Sequence, residues 1–164
     1  MSDWRSAEPT DGVVALRPWC EDDADGAFRD PALGRFFGSA LAAATLAGGP
    51  ELPNWAIVVS ESASVVGRIW CRPGSSPPEI GYYLRRDAWG KGYATCALRL
   101  ATHWLTTDGG FGAVELCTHP ENHRSQRVAA RAGYAPAGAI EEYAQFKDGT
   151  TCALRFVHEA RSPE

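Results

Sequence analysis

The stretch from Glu79 to His119 constrains this chain most. It runs through an alternating apolar segment (EIGYYLR), a turn with Gly90 and Gly92, an amphipathic run and a second apolar segment (AVELCTH). Within the amphipathic run, Ala94, Ala97, Leu98, Ala101, Trp104 and Leu105 recur at i, i+3, i+4, i+7, i+10 and i+11. That spacing predicts one face of a helix, and Asp108-Gly109-Gly110 ends it. A strand–turn–helix–strand unit of this kind must build a sheet with a helix packed on it. WAIVVSE (55–61) and SVVGRIWCR (64–72), joined by a short polar turn, precede it and read as an antiparallel hairpin leading into EIGYYLR (79–85).

The flanks complete the order. VVALRPW (13–19) reads as a strand and EDDADGAFRD (21–30) as a short helix with an acidic first turn. PALGRFFGSALAAATLAGGP (31–50) reads as mostly helical, broken at Gly48-Gly49-Pro50. ENHRSQRVAARAG is expected to be a helix closed by Gly133, and the tail is expected to pair IEEYAQFK with CALRFVHE across DGT as a hairpin. Strands meeting helices in this order predict an α+β fold, three layers α/β/α around a mixed, mostly antiparallel sheet. With 164 residues there is room for a single domain over 1–164, its core spanning about 13–158.

Composition narrows the functions. Hydrophobic residues make up 45% and charged residues 22%, a globular balance. A net charge of −4 argues against a protein that coats nucleic acid, so no direct nucleic-acid partner is expected. The five cysteines are scattered without ligand spacing, which implies no metal and a reducing compartment. No apolar run approaches the ~18 residues of a membrane span, and MSDWRSAEPTDG has no signal-peptide core. A soluble, cytoplasmic protein without a membrane partner is the expectation.

The Gly-x-Gly turn opens a helix, whose first backbone N–H groups and positive dipole end suit an anion. A tight turn that needs glycine φ/ψ and binds nothing explains the same residues. Two phosphate loops are excluded. Gly90-Lys91 is followed by Gly92 rather than Ser or Thr, and Arg85 stands where a P-loop needs its first glycine. A dinucleotide fingerprint needs glycine at 95, where Thr95 stands. Glu115 could imitate that fold's ribose-binding acid, but too little chain follows to complete a doubly wound sheet.

EIGYYLRRDAWGKGYATCALRLATHWL followed by VELCTHPENHRSQRVAARAGY resembles the GNAT superfamily of N-acetyltransferases, densest over residues 79–134. The branch it is most similar to holds ribosomal-protein N-terminal acetyltransferases and small-molecule relatives. The resemblance implies acetyl-CoA as cosubstrate, with its pyrophosphate on the backbone of Trp89, Gly90, Lys91, Gly92, Tyr93 and Ala94. The family pattern Gln/Arg-x-x-Gly-x-Gly/Ala falls on Asp87-x-x-Gly90-x-Gly92; Asp87, Trp89 and Cys96 depart from what relatives carry. An anionic Asp87 suits a pyrophosphate only if it points to solvent.

Acetyl transfer requires that an ammonium lose a proton, that a developing oxyanion find a donor and that the thiolate leave. The resemblance implies a splayed strand whose backbone N–H at Leu84 meets the thioester oxygen, with Arg86 further along. It also implies Ser125 as the acid for the sulfur, Asn122 on the pantetheine arm and Arg127, from the series Arg124, Arg127 and Arg131, on the 3′-phosphate. Read locally, Asn122 is an N-cap and Ser125 an N3 residue.

For the base, Glu79 is the candidate, acting through water. A solvated strand-end carboxylate is the competing reading, and Glu141 and Glu142 are rivals. His119, His123 and His158 have no evident partner. The expected activity is transfer of acetyl to a primary amine of a small molecule or peptide N-terminus. The alternative is a catalytically weak acyl-CoA-binding sensor or partner-binding module. Segments 19–55 and 139–151 should shape the acceptor pocket, with Phe36 and Phe37 as pocket or core and Glu21, Asp22, Asp23 and Asp25 as possible attractors of a cation. A homodimer through the edge of the tail hairpin is a further expectation.

Overall fold

The computed structural model describes residues 2–23, 51–143 and 146–161. In chain order they form β1 (Val14–Pro18), a 3-10 turn (Glu21–Asp23), β2 (Asn54–Val59), β3 (Val65–Cys71) and β4 (Ile80–Leu84). A second 3-10 turn (Arg86–Ala88), α1 (Tyr93–Thr106), β5 (Ala113–Thr118), α2 (His123–Arg131), β6 (Ala135–Ile140) and β7 (Ala153–Glu159) follow. β1-β2-β3-β4 make one antiparallel sheet and β5-β7-β6 another.

Among the described residues one parallel bridge joins the two sheets, Glu79 with Glu115, where the Glu115 N–H donates to the Pro78 carbonyl at 2.8 Å. Beyond it β4 and β5 share no ladder. This is the mixed, mostly antiparallel and splayed arrangement expected from the sequence.

α1 holds the two sheets at this separation. Its apolar face buries Ala97, Leu98, Ala101, Trp104 and Leu105 against Leu16, Ile57, Ile69 and Ile80 of one sheet and Val114 and Leu116 of the other. Trp55 stacks edge-on between Trp104, at 5.5 Å, and Trp4, at 6.3 Å. Each fully buried leucine or isoleucine contributes roughly 2 kcal/mol of transfer free energy. On the opposite sheet face, Trp70 and Tyr83 pack with Trp19 and Trp89. Buried Arg68 donates from Nε to Asn54 Oδ1 at 2.7 Å, with its guanidinium over the Trp19 ring at 4.8 Å.

One expectation about the strands changes. IEEYAQFK is not the first arm of the tail hairpin: APAGAI, Ala135–Ile140, pairs with β7 instead. Pro136 and Gly138 hid it, yet an edge strand tolerates both, because its outer N–H groups need no partner. The register slips between Pro136 and Ala139, where Gly138 adopts φ +87°. Of the short helix expected over 21–30, Glu21–Asp23 form one 3-10 turn and residues 24–30 lie outside the described residues. Asp23 there is clamped by Arg17 at 2.7 and 2.8 Å, which pulls its carboxyl down to about 2, so it is already neutralised as a cation attractor. The helix expected over 31–50, with Phe36 and Phe37, lies outside the described residues, as does Asp25.

Gly67 marks a close approach beside the register shift between β2 and β3. A Cβ placed there would lie 2.1 Å from the Tyr83 carbonyl oxygen. Gly67→Ala should therefore destabilise by about 2 kcal/mol or more, because backbone cannot swing aside. At Gly112 a Cβ meets nothing within 4 Å. Gly112→Ala should be neutral or stabilising by up to ~1 kcal/mol. Urea unfolding of the two variants checks the contrast.

Candidate functional site

The backbone of β4 has two sides. The Arg85 N–H donates to Val66 at 2.7 Å and the Glu79 carbonyl accepts from Arg72 at 2.8 Å, so odd-numbered residues ladder with β3. The amides of Ile80, Tyr82 and Leu84 consequently face β5, and past the bridge they face the gap. Leu84, expected to offer its N–H there, has it on that side. Counting on from Glu79 and Glu115 along parallel strands sets Thr118 opposite Tyr82. The Thr118 hydroxyl is buried without a hydrogen-bond partner in the described structure, an orphan of the kind that marks a polar group still to arrive.

At the end of β4 the chain makes the Arg86–Ala88 turn and passes through Gly90 and Gly92, at φ +75° and +81°. Both need the left-handed region, so the turn reading of these glycines holds. A Cβ at either would meet nothing within 4 Å, which leaves the backbone approachable. Gly92 is the N-cap of α1 and supplies no side chain, so the first-turn N–H groups at Tyr93 and Ala94 stay open. Lys91 and Arg86 are exposed beside them. Asp87 points to solvent and pairs with Arg85 at 3.0 Å, which removes the objection to an anion at this turn. Trp89 differs from the expectation that only its backbone matters: its Nε1 donates to the Leu84 carbonyl at 3.0 Å, and the Arg124 guanidinium lies 4.2 Å above its ring. The indole ties the turn to β4 and α2.

α2 faces the gap with its first turn. Asn122 is the N-cap, its Oδ1 accepting from the Ser125 N–H at 3.2 Å. The Ser125 hydroxyl is not spent on local backbone; it accepts from the Tyr82 hydroxyl at 3.1 Å across the gap. Burial pushes the Tyr82 phenol up to about 12, so it stays a neutral donor. Tyr82 was missed from sequence, although period two from Ile80 sets it on the α2 side of β4. Arg127 and Arg131 are exposed on α2, with Arg131 lending its carbonyl to Arg99.

On the other face of β4, Glu79 is not a solvated strand-end carboxylate. Its side chain is only 12% exposed, 3.6 Å from Arg72 Nη1. The Tyr143 hydroxyl donates to its Oε1. Burial raises the Glu79 carboxyl above the ordinary range, with adjacent Glu115 adding to the rise and Tyr143 and Arg72 opposing it. Glu115 is itself gripped by Arg155, Nε at 2.9 Å with Nη2 donating to the same oxygen. The rivals Glu141 and Glu142 are exposed in the turn after β6. Nearby thiols are poor nucleophiles: burial pushes Cys117 and Cys71 up to about 12.

His119 has a partner after all. It is buried at the end of β5, accepts from the Glu121 N–H on Nδ1 at 3.0 Å and meets Asp148 at 2.9 Å through Nε2. Phe146 packs edge-on to its ring at 4.9 Å. His119, Glu121 and Asp148 have the composition of a cation site, but this pairing makes the group a hydrogen-bonded latch between β5 and the tail loop. A cavity of about 440 Å³ opens elsewhere, lined by Arg99, His103, His158 and Arg161 among others. It lies along α1 from Arg99 to Thr106 and shares no residue with the gap. Among the described residues no helix is long and apolar enough to cross a membrane.

The fold recurs in known proteins. The uncharacterized N-acetyltransferase p20 of Bacillus licheniformis is 27% identical over 97 residues, 57% of this chain and 54% of that protein. The chain thus matches about half the length of this curated relative. A GNAT-family acetyltransferase of Bacillus anthracis shares the fold at a TM-score of 0.79 and 14% identity, covering 95% of this chain and 100% of that one. RimJ of Mycobacterium smegmatis, solved in complex with CoA-disulfide, does so at 0.78 and 19%, covering 96% and 89%. The family model of the acetyltransferase (GNAT) domain matches residues 14–135, and the chain belongs to that family.

Proposed function

We propose that this protein is an acetyl-CoA-dependent N-acetyltransferase that acetylates a primary amine of a small molecule or peptide N-terminus. The observation that carries the reading is the β4–β5 gap. Leu84 turns its N–H to that side, the open turn at Gly90–Gly92 follows β4, and the Tyr82 hydroxyl reaches Ser125 on α2. The residues fit the cosubstrate, since an orphaned Thr118 hydroxyl and an unobstructed glycine backbone border the gap. Trp89 to Ala94 would hold its pyrophosphate, Asn122 the pantetheine arm and Arg127 the 3′-phosphate, with Arg86 flanking. The thioester supplies an acyl carbon open to direct attack by an amine.

The chain's own groups then meet the three demands. Glu79, raised by burial, accepts the ammonium proton through water from the face opposite α2. The Leu84 N–H faces the oxygen that gains charge. Ser125, hydrogen-bonded to neutral Tyr82, delivers a proton to the departing sulfur. Direct transfer needs no acyl-cysteine, and the half-buried Cys117 thiol beside the gap, pushed up to about 12 by burial, is poorly suited to form one. A binding module without turnover needs only the glycine turn and the gap; the half-buried Ser125–Tyr82 pair favours the enzyme.

Acetyl-CoA binding by calorimetry tests the site. Gly92→Ala and Gly92→Glu share one backbone penalty at φ +81°, and only Glu adds an anion. The expected result is weakening within about tenfold for Ala and loss for Glu; equal affinities would remove the pyrophosphate from this turn. In a thiol-release screen over amines and short peptides, Ser125→Ala should lower kcat about 10- to 100-fold with acetyl-CoA affinity intact. Glu79→Gln should abolish the acid limb of the rate profile. That limb falls as pH drops through the raised Glu79 value, since only the ionised form accepts a proton. Binding without turnover on a broad panel would favour the sensor.

A further inference from the structure

We propose that Tyr143 is a positioning residue for the base, an inference that rests on the reading of Glu79 above. It fixes Glu79 Oε1 so that Oε2 is the oxygen that takes the acceptor's proton.

The two carboxylate oxygens are not equivalent. Oε1 accepts the Tyr143 hydroxyl. Oε2 has Arg72 Nη1 at 3.6 Å, an ion-pair distance too long for a hydrogen bond. A lone pair on Oε2 therefore remains for a water, while Arg72 supplies charge without occupying it. Arg72 also lies 4.8 Å over the Tyr143 ring, so one guanidinium braces both partners. A carboxylate with one oxygen bonded to a neutral phenol keeps its orientation and its charge, whereas one bonded to a cation on both oxygens would be too weak a base.

The loop that carries Tyr143 is itself fastened at two places to the β5-β7-β6 sheet. The Tyr143 N–H donates to the Thr151 carbonyl at 3.0 Å, continuing the pairing at the open end of β6 and β7. The Tyr143 and Phe146 rings stack at 6.0 Å and 25°. Phe146 in turn rests on His119, which reaches Asp148. The hydroxyl is thus delivered to Glu79 by a scaffold anchored on β5, and its aim does not depend on Glu79.

Tyr143→Phe removes the hydroxyl and leaves the ring contacts in place. Two readouts follow the change. The first is the titration of the Glu79 carboxyl carbon by NMR, assigned with Glu79→Gln and independent of turnover. The second is the pH profile of kcat/KM on whichever amine the screen finds. The Tyr143 hydrogen bond favours ionised Glu79, so its loss should raise the Glu79 midpoint by roughly one pH unit. The acid limb should move up with it, and kcat should fall about tenfold at unchanged affinity for acetyl-CoA. A structural role alone would lower stability and leave the midpoint where it is. An unmoved midpoint overturns the proposal. A raised midpoint with an unmoved acid limb overturns Glu79 as the base, and the positioning role with it. A raised midpoint with no amine acetylated, by the wild type or the variant, overturns the enzymatic reading itself while the hydrogen bond stands.

Discussion

The structure depends on two neighbouring parallel strands that decline to pair. β4 and β5 meet at Glu79 and Glu115 and then separate. A strand that leaves its neighbour exposes amides that must find water, ligand or another chain, and a buried unpaired amide costs about 1–3 kcal/mol. The separation persists because α1 is packed against both sheets at once. Leu98 and Leu105 belong to the same core as Ile69 and Ile80 on one side and Val114 and Leu116 on the other. The hydrophobic stripe therefore does two jobs: it stabilises the sheets, and it fixes the width of the gap that the polar groups line.

Around the gap, charge is distributed in pairs. Glu79 and Glu115 are adjacent carboxylates on neighbouring strands, and each has its own arginine, Arg72 and Arg155. Their grips differ. Arg155 binds Glu115 through two nitrogens, while Arg72 stands back from Glu79 and leaves the closer contact to a phenol. Burial is the leading cause that raises the Glu79 carboxyl out of the ordinary range. Glu115 is held by a cation through two hydrogen bonds, whereas Glu79 is held by a phenol with its cation standing off.

Much of this was legible in sequence because it rests on periodicity and local chemistry. Alternation in EIGYYLR and the i, i+3, i+4 stripe from Ala94 gave β4 and α1. Gly90 and Gly92 marked the turn through the left-handed conformations they alone adopt easily, and Asn122 announced the cap it makes. What stayed hidden depended on distant contact. Tyr82 meets Ser125 across 43 positions and Tyr143 meets Glu79 across 64; no local pattern encodes either. APAGAI was unreadable as a strand because Pro136 and Gly138 are breakers in any context except an edge. His119 looked isolated for a similar reason, its partner Asp148 being on a turn that the DGT signal identified only as a turn.

The burial of Glu79 bears on whether such a protein merely binds. Replacing a buried charged group and its partner by apolar side chains of similar size is often neutral or stabilising. A module that only held an acyl-CoA would need the glycine turn, the gap and a polar neck, and none of these requires a carboxylate on the far face of β4. Glu79 is nonetheless kept there, 12% exposed, beside a second carboxylate and under Tyr143. Its raised carboxyl means that the folded state favours the protonated form more than the unfolded chain does. Stability from this group is therefore present at low pH and is lost as pH rises through the raised value. A carboxylate so placed costs stability at neutral pH and holds a proton more tightly than an exposed glutamate does; under the proposed reaction that is the property asked of the group that takes the amine's proton.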